Sequence, residues 1–313
     1  MSIKNRTYDL SGFFITWKTI HELMPLSIIL SVVISGCSGF FLSISAQTQD
    51  SVASSWHVIA DHLQNASSID VTGLETIFVV EPDNNRFLTF DLEGNRIDSV
   101  GNRGFGDYQF DQPMDINAGN GLKIYVSDYN NRRIQIYDRR LQFLTSVKPR
   151  DNQRFFDFFK PTQVAVTNRS ELYFYDKANK SIIKYNSQGE LDLTFSARLE
   201  HVGLPPIDMD TLDDRLLVAD TKQGVVHELS SNGQYVKFWG RFEELKAIDV
   251  TRKWIWVLTA DRVHQFSLRG LPKKAIALDS ITNARDIAAY KNSIYLLTEH
   301  KMWKAVVDSS NGN

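Results

Sequence analysis

The chain has one cysteine, Cys37, and it lies in the N-terminal stretch, so residues 47–313 can form no disulfide. Whatever folds there must hold itself together through its own core. An apolar content of 42%, with 11 Tyr and 19 Phe, can build such a core and suits a strand-rich one. Charge of one sign is scarce as well. Without residues 1–46 the chain carries 32 Lys plus Arg against 35 Asp plus Glu, a formal charge of −3. That balance lacks the basic footprint of nucleic-acid binding and excludes nucleic acid as a partner. No low-complexity segment interrupts the sequence. A Gly-x-Ser-x-Gly elbow and a phosphate-binding loop are both missing, which argues against a serine hydrolase or a nucleotide enzyme. His57, His62, His201, His227, His264 and His300 are scattered, with no two at i, i+4 spacing, so no zinc motif is written in them.

The first 46 residues differ from the rest. Lys4, Arg6 and Lys18 precede 23 uncharged residues, Met24–Ala46, rich in Leu, Ile, Val and Phe. That length could cross a bilayer, while the basic flank and small-residue end favour an export signal. Ile34-Ser35-Gly36-Cys37 resembles the lipobox of bacterial lipoproteins, in which the cysteine is lipidated. Ser43-Ile44-Ser45-Ala46 before Gln47 reads equally as an ordinary signal-peptidase site. Either way the mature chain is expected in the periplasm or cell envelope, with membrane contact only through this segment or a lipid.

Six apolar triplets follow: Ile69-Asp70-Val71, Met114-Asp115-Ile116, Gln163-Val164-Ala165, Ile207-Asp208-Met209, Ile248-Asp249-Val250 and Arg285-Asp286-Ile287. A unit near forty residues with several strands is the mark of a β-propeller. After each triplet comes a near-continuous apolar run such as Ile77–Val80, Leu172–Tyr175 or Ile294–Leu297, as expected of strands buried on both faces. A third strand alternates more, and Gly94, Gly189 and Gly233 mark tight hairpins into a fourth. Only five fourth strands can be found for six blades. Trp56–Ala60 is expected to supply the sixth and close the ring. The reading is therefore all-β: residues 1–46 a signal or anchor, residues 47–313 one six-bladed, monomeric propeller.

Units two and three carry a family resemblance. Gln112-Pro113-Met114-Asp115-Ile116, Ile124–Asp128 and Asn130-Asn131-Arg132-Arg133-Ile134-Gln135-Ile136-Tyr137 resemble an NHL repeat, as do Lys160–Val166 with Leu172–Asp176 and Asn179–Tyr185. The resemblance covers residues 67–230 and fades in blades five and six. It implies a six-bladed propeller and no single function, since similar propellers serve as scaffolds, lactonases and lyases. It also implies that the repeat arginines Arg86, Arg132 and Arg133 tie strands together, with Glu81, Asp128, Asp176 and Asp220 as partners.

Candidate chemistry sits on the inner strands. Asp70, Asp115, Asp208, Asp249 and Asp286 recur at one position of five units. Were they to converge on the channel they could hold a hard cation such as Ca²⁺ through oxygen ligands, as metal-dependent lactonases of similar architecture do. Alternatively each bonds backbone amides at the turn where its blade begins and stiffens the repeat. Two aromatic connectors, with Phe105 and Tyr108 in one and Phe155, Phe156 and Phe158 in the other, are expected at a channel mouth, as a binding rim or as packing between blades. The function expected is a binding scaffold with a protein or small-molecule partner on one face. The alternative is a metal-dependent hydrolase or lactonase.

Overall fold

The computed structural model describes residues 49–50, 55–148, 159–195, 202–203, 205–279 and 281–307. The readings of residues 1–46, Cys37 included, and of Phe155, Phe156 and Phe158 lie outside the described residues. Among the described residues no helix is long and apolar enough to cross a membrane.

Residues Asp50–Asn313 form one compact unit. It is a six-bladed propeller, each blade built on four antiparallel strands. From the axis outward, blade 1 is Ser68–Val71, Ile77–Glu81, Arg86–Phe90 and Arg96–Val100. The inner strands of blades 2 to 6 are Pro113–Asn117, Pro161–Val166, Asp208–Leu212, Ala247–Val250 and Asp286–Tyr290. They touch one another in sequence, and Asp286–Tyr290 meets Ser68–Val71 to complete a ring. In blade 6 the outermost strand is His57–Ala60, which pairs antiparallel with Met302–Val306, Val58 opposite Trp303.

The burial pattern explains why these segments are strands. Second strands such as Ile77–Glu81 and Leu172–Asp176 are buried at every residue, because each blade is covered on both faces by its neighbours. Outer strands such as Arg96–Val100 and Tyr235–Trp239 are mostly exposed and end in one buried apolar residue. The apolar side chains gather in six clusters, and each lies between two blades. Phe78, Val80 and Phe87 of blade 1 pack on Ile116, Val126 and Tyr137 of blade 2. Across the last seam, Ala288, Tyr295, Leu297 and Met302 of blade 6 pack on Ile69, Ile77, Val79 and Leu88 of blade 1. Burying one such side chain stabilises by about 1.5–3 kcal/mol, so most of the cohesion lies between the blades.

Three of the hairpins into the outer strands share one local solution. In blade 1, Gly94 has φ +89° and donates its N–H to the Asp91 carbonyl, while the Asp91 carboxylate accepts the Glu93 and Asn95 N–H groups. Gly189 and Gly233 occupy the same place at φ +78° and +74°. Positive φ favours Gly there, and an Asx-type turn fixes the loop.

Candidate functional site

Because side chains alternate along a strand, each inner strand turns two residues toward the channel. Strand register sorts these into two tiers, roughly 6.5 Å apart along the axis. The first holds Ser68, Asp115, Gln163, Asp208, Ala247 and Asp286, the second Asp70, Asn117, Ala165, Asp210, Asp249 and Ala288. The repeat spacing predicts one shared level for Asp70, Asp115, Asp208, Asp249 and Asp286. The structure divides them between the tiers and adds Asp210, whose position two residues after Asp208 is the signal that could have found it.

These carboxylates make a regular set of bonds. With one exception, Oδ1 accepts the N–H of the next residue: Val71 at 2.6 Å, Ile116 at 2.9 Å, Met209 at 2.7 Å, Thr211 at 2.6 Å and Ile287 at 2.8 Å. Oδ2 accepts an N–H from the following blade. Asp70 takes Ala118 at 2.5 Å, Asp115 takes Val164 at 2.7 Å, Asp208 takes Ile248 at 2.8 Å, and Asp286 takes Ile69 at 2.8 Å, spanning the last seam. Asp210 takes Val250 at 2.6 Å, leaving Asp249, the exception, to reach only Ala289 at 3.1 Å.

One rule generates the pattern. The donor is always the residue after the same-tier position of the next blade. Each strand offers one N–H there, so an acid in one blade competes with an acid at the same tier of the next. The first tier accordingly alternates, acids in blades 2, 4 and 6 and neutral residues between. At the seam from blade 3 to blade 4, where neither tier of blade 3 has an acid, the Gln163 amide donates instead to the Ile207 carbonyl at 3.3 Å, and the Thr211 hydroxyl to the Val166 carbonyl at 3.0 Å.

Electrostatically the ring is under pressure. Enclosure by protein pushes Asp70 and Asp115 up to about 6. Asp210 rises to about 7 and Asp286 to about 8, first through burial and then through neighbouring carboxylates, which outweigh the bonds from backbone amides. Asp208 and Asp249 lie well above the usual carboxylate range for the same two reasons. The six side chains remain partly accessible to the channel. At neutral pH the ring therefore holds and exchanges protons. Its oxygens are directed along the ring at backbone amides, and among the described residues no three His, Cys, Asp or Glu side chains form a group able to hold a metal ion. As they stand, these carboxylates do not fit a calcium site, which needs six to eight converging oxygens.

A second set of acids closes the second strands. Glu81, Asp128, Asp176 and Asp220 are all 0% exposed. Each accepts an N–H from the connector entering its blade: Gln64 at 2.7 Å, Asp111 at 2.8 Å, Lys160 at 2.9 Å and Gly203 at 2.6 Å. In blades 1 and 2 the resemblance-based pairing holds, with Arg86 on Glu81 at 2.7 Å and Arg133 on Asp128 at 2.8 Å. In blades 3 and 4 the arginine is replaced by Ser181 and Val225, and Asn179 and His227 serve the acid instead.

The first aromatic connector is held by Arg133, whose guanidinium donates to the carbonyls of Phe105, Gly106 and Gln109. Tyr108 lies against Tyr137 and Phe143 of the outer half of blade 2, and its hydroxyl accepts the Phe143 N–H at 2.8 Å. Phe105 is 77% exposed. Of the second connector only Phe159 is described. It is buried against Phe174, ring centres 5.1 Å apart.

Comparison with known proteins adds the fold and stops there. No family model matches the chain, and no curated protein does. Among solved structures, virginiamycin B lyase from Staphylococcus aureus is 11% identical, with 81% of this chain and 99% of that one covered at a TM-score of 0.57. A gluconolactonase from Xanthomonas campestris is 13% identical over 81% and 89% of the two chains, TM-score 0.60. A Bacteroides thetaiotaomicron protein of unknown function is 15% identical over 81% and 76%, also at 0.60.

Proposed function

We propose that this chain is an exported NHL-like propeller that acts as a binding scaffold in a bacterial cell envelope. The observation that carries the reading is the bonding of the channel acids. All six use one carboxylate oxygen to join their inner strand to the next, and five use the other to brace their own strand, which is a structural task, and no converging catalytic set accompanies them among the described residues. Residues 1–46 direct export, His57–Ala60 seals the ring, and the disc presents loop-built faces to a protein or small molecule. Mass spectrometry of the mature N-terminus distinguishes lipidation at Cys37 from cleavage after Ala46. An unprocessed N-terminus on chains recovered in the cytosolic fraction would remove the envelope from the proposal, while unprocessed chains in the membrane fraction would mark the segment as an anchor.

A second reading, a metal-dependent hydrolase or lactonase, is favoured by one observation: six acids with raised affinity for protons face a channel in a fold that gluconolactonases also use. Calcium linkage separates the two. The scaffold reading expects the same melting temperature in EDTA and in millimolar CaCl2. A calcium-dependent rise that disappears in Asp208→Asn and Asp249→Asn, together with opening of a sugar lactone, would establish the enzyme instead.

A further inference from the structure

The hairpins between first and second strands and those between third and fourth strands lie at the same end of every blade, so the disc has one hairpin face. In blade 6 the third strand, Met302–Val306, runs toward that face. The closing strand His57–Ala60 is antiparallel to it, with His57 opposite Lys304 and Ala60 opposite Met302, and so runs away from the hairpin face. The chain before His57 therefore comes off that face, at the blade adjoining blade 1. Only residues 47–56 separate this strand from the N-terminal stretch, a span of at most about 35 Å when fully extended. A chain held at a bilayer by its N-terminal stretch is thus tethered from the hairpin side.

That side carries an uncovered patch. Leu74 and Leu122, in the first hairpins of blades 1 and 2, and Ile97, on the outer strand of blade 1, are 53%, 59% and 62% exposed. They stand around one cavity between the two blades. Lys123, Arg139 and Arg140 border the same cavity, and none of them has an ion-pair partner among the described residues. The single acid of the rim, Asp98, accepts the Ser99 N–H at 2.7 Å. Exposed aliphatic side chains with a surplus of cations beside them fit the boundary of an anionic bilayer, where apolar groups enter the acyl region and cations meet phosphates. The corresponding turn of blade 4, across the ring, has the contrary composition, with Asp213 and Asp214 exposed. One side of the hairpin face suits such a surface, and the other does not.

We infer that the hairpin face docks on anionic phospholipid through blades 1 and 2, with Leu74, Ile97 and Leu122 entering the interface and Lys123, Arg139 and Arg140 meeting headgroup phosphates. The inference rests on the envelope reading above for the nearness of a bilayer, and on the patch for its orientation and lipid preference. Tethering raises the local concentration of lipid, so individually weak contacts are enough. Each cation at an anionic surface is worth about fivefold in partition, and the three together about a hundredfold. High salt removes most of that gain, because the charges are exposed. Docking in this way leaves the opposite face, with Phe105, turned outward to a partner.

The test is hydrogen–deuterium exchange of the full chain on vesicles of phosphatidylcholine, with and without phosphatidylglycerol, together with flotation to show that the chain is bound. The N-terminal stretch should float the chain with both. On the anionic vesicles alone, the hairpins at residues 72–76, 120–123 and 139–141 should exchange about tenfold more slowly, with no change at residues 212–215 of blade 4. Lys123→Gln with Arg139→Gln and Arg140→Gln should abolish the slowing while flotation and the melting transition are kept, and Leu74→Ser with Leu122→Ser should weaken it. Hairpins that exchange alike on both vesicles in a floating chain, or equal slowing at residues 212–215, would overturn the docking and leave the anchor standing. Flotation with anionic vesicles alone, lost in the triple variant, would remove the anchor and keep the docking; flotation with neither would remove both. Slowing of the same hairpins by polyglutamate but not by vesicles would assign the patch to an acidic protein and overturn the lipid.

Discussion

The propeller buries carboxylates in two places and treats them differently. At the ends of the second strands, Glu81 and Asp128 meet arginine, and Asp220 meets His227. Burial alone would push Asp220 up, but its bonds from His227, Gly203, Gln223 and Lys222 outweigh that and hold it below the usual range. In the channel, Asp208, Asp249 and Asp286 have backbone amides and one another, with no cation paired to them among the described residues, and their proton affinity rises. The same side chain in the same repeat is thus held low at Asp220 and raised in the channel, where burial is joined by neighbouring carboxylates. Hydrogen bonds favour the charged form while burial and like charges oppose it: four bonds win at Asp220, and at Asp128 burial wins even against the Arg133 guanidinium.

The comparison breaks most sharply at Asp128. Asp128→Ala should cost about 3–5 kcal/mol in denaturant unfolding, because Arg133, 3% exposed, would be left as a buried cation without its partner. A cost below 1 kcal/mol would show that the carbonyls of Phe105, Gly106 and Gln109 suffice for the guanidinium.

The channel should reveal itself through pH. Its carboxylates bind protons more tightly in the folded chain than in the unfolded chain, where they titrate near 4. Between about pH 4 and the value of about 8 for Asp286, the folded state holds the extra protons. Stability is therefore greatest at the acid end of that window and is lost as pH rises through it. Melting temperature should fall from pH 5 to pH 8, and the slope should flatten in the triple variant Asp208→Asn, Asp249→Asn, Asp286→Asn. His264, held below its ordinary value by burial, opposes this trend, one group against six. A melting temperature that climbs from pH 5 to 8 would contradict the picture.

Smaller effects sharpen it. Asp208→Ala removes the acceptor for Met209 and Ile248 but also relieves repulsion, and channel water can reach the freed amides. The expected loss is about 1 kcal/mol, well short of that at Asp128. Gln163→Asp should destabilise by less than about 1 kcal/mol above pH 7, since the new acid competes with Asp115 for the Val164 N–H and adds a like charge. Gln163→Asn should be close to neutral in the same denaturation measurement.

Much of the architecture was legible in the chain. The second strands run where their apolar sequences place them, Leu172–Asp176 and Trp254–Leu258 among them, because a strand covered on both faces needs no alternation. The hairpin glycines were legible for a similar reason, since only local geometry decides them. Other features were not. The tiers could not be read from the triplets because a tier depends on how each strand is paired, and a two-residue shift keeps a side chain on the same face while moving it along the axis. Asp210 was hidden for that reason. The seat of Tyr108 on the outer half of blade 2 depends on three carbonyls reached by Arg133, residues 24 to 28 positions away.

What the sequence determined by itself is periodic and local: six units, the order of strands within each, the turns between them and the absence of disulfides. Tertiary structure alone decided which amide each carboxylate captures and which acids share a level. These follow from contacts between blades some forty residues apart, and the distance between two such residues is set by closing the ring, not by the letters that flank them.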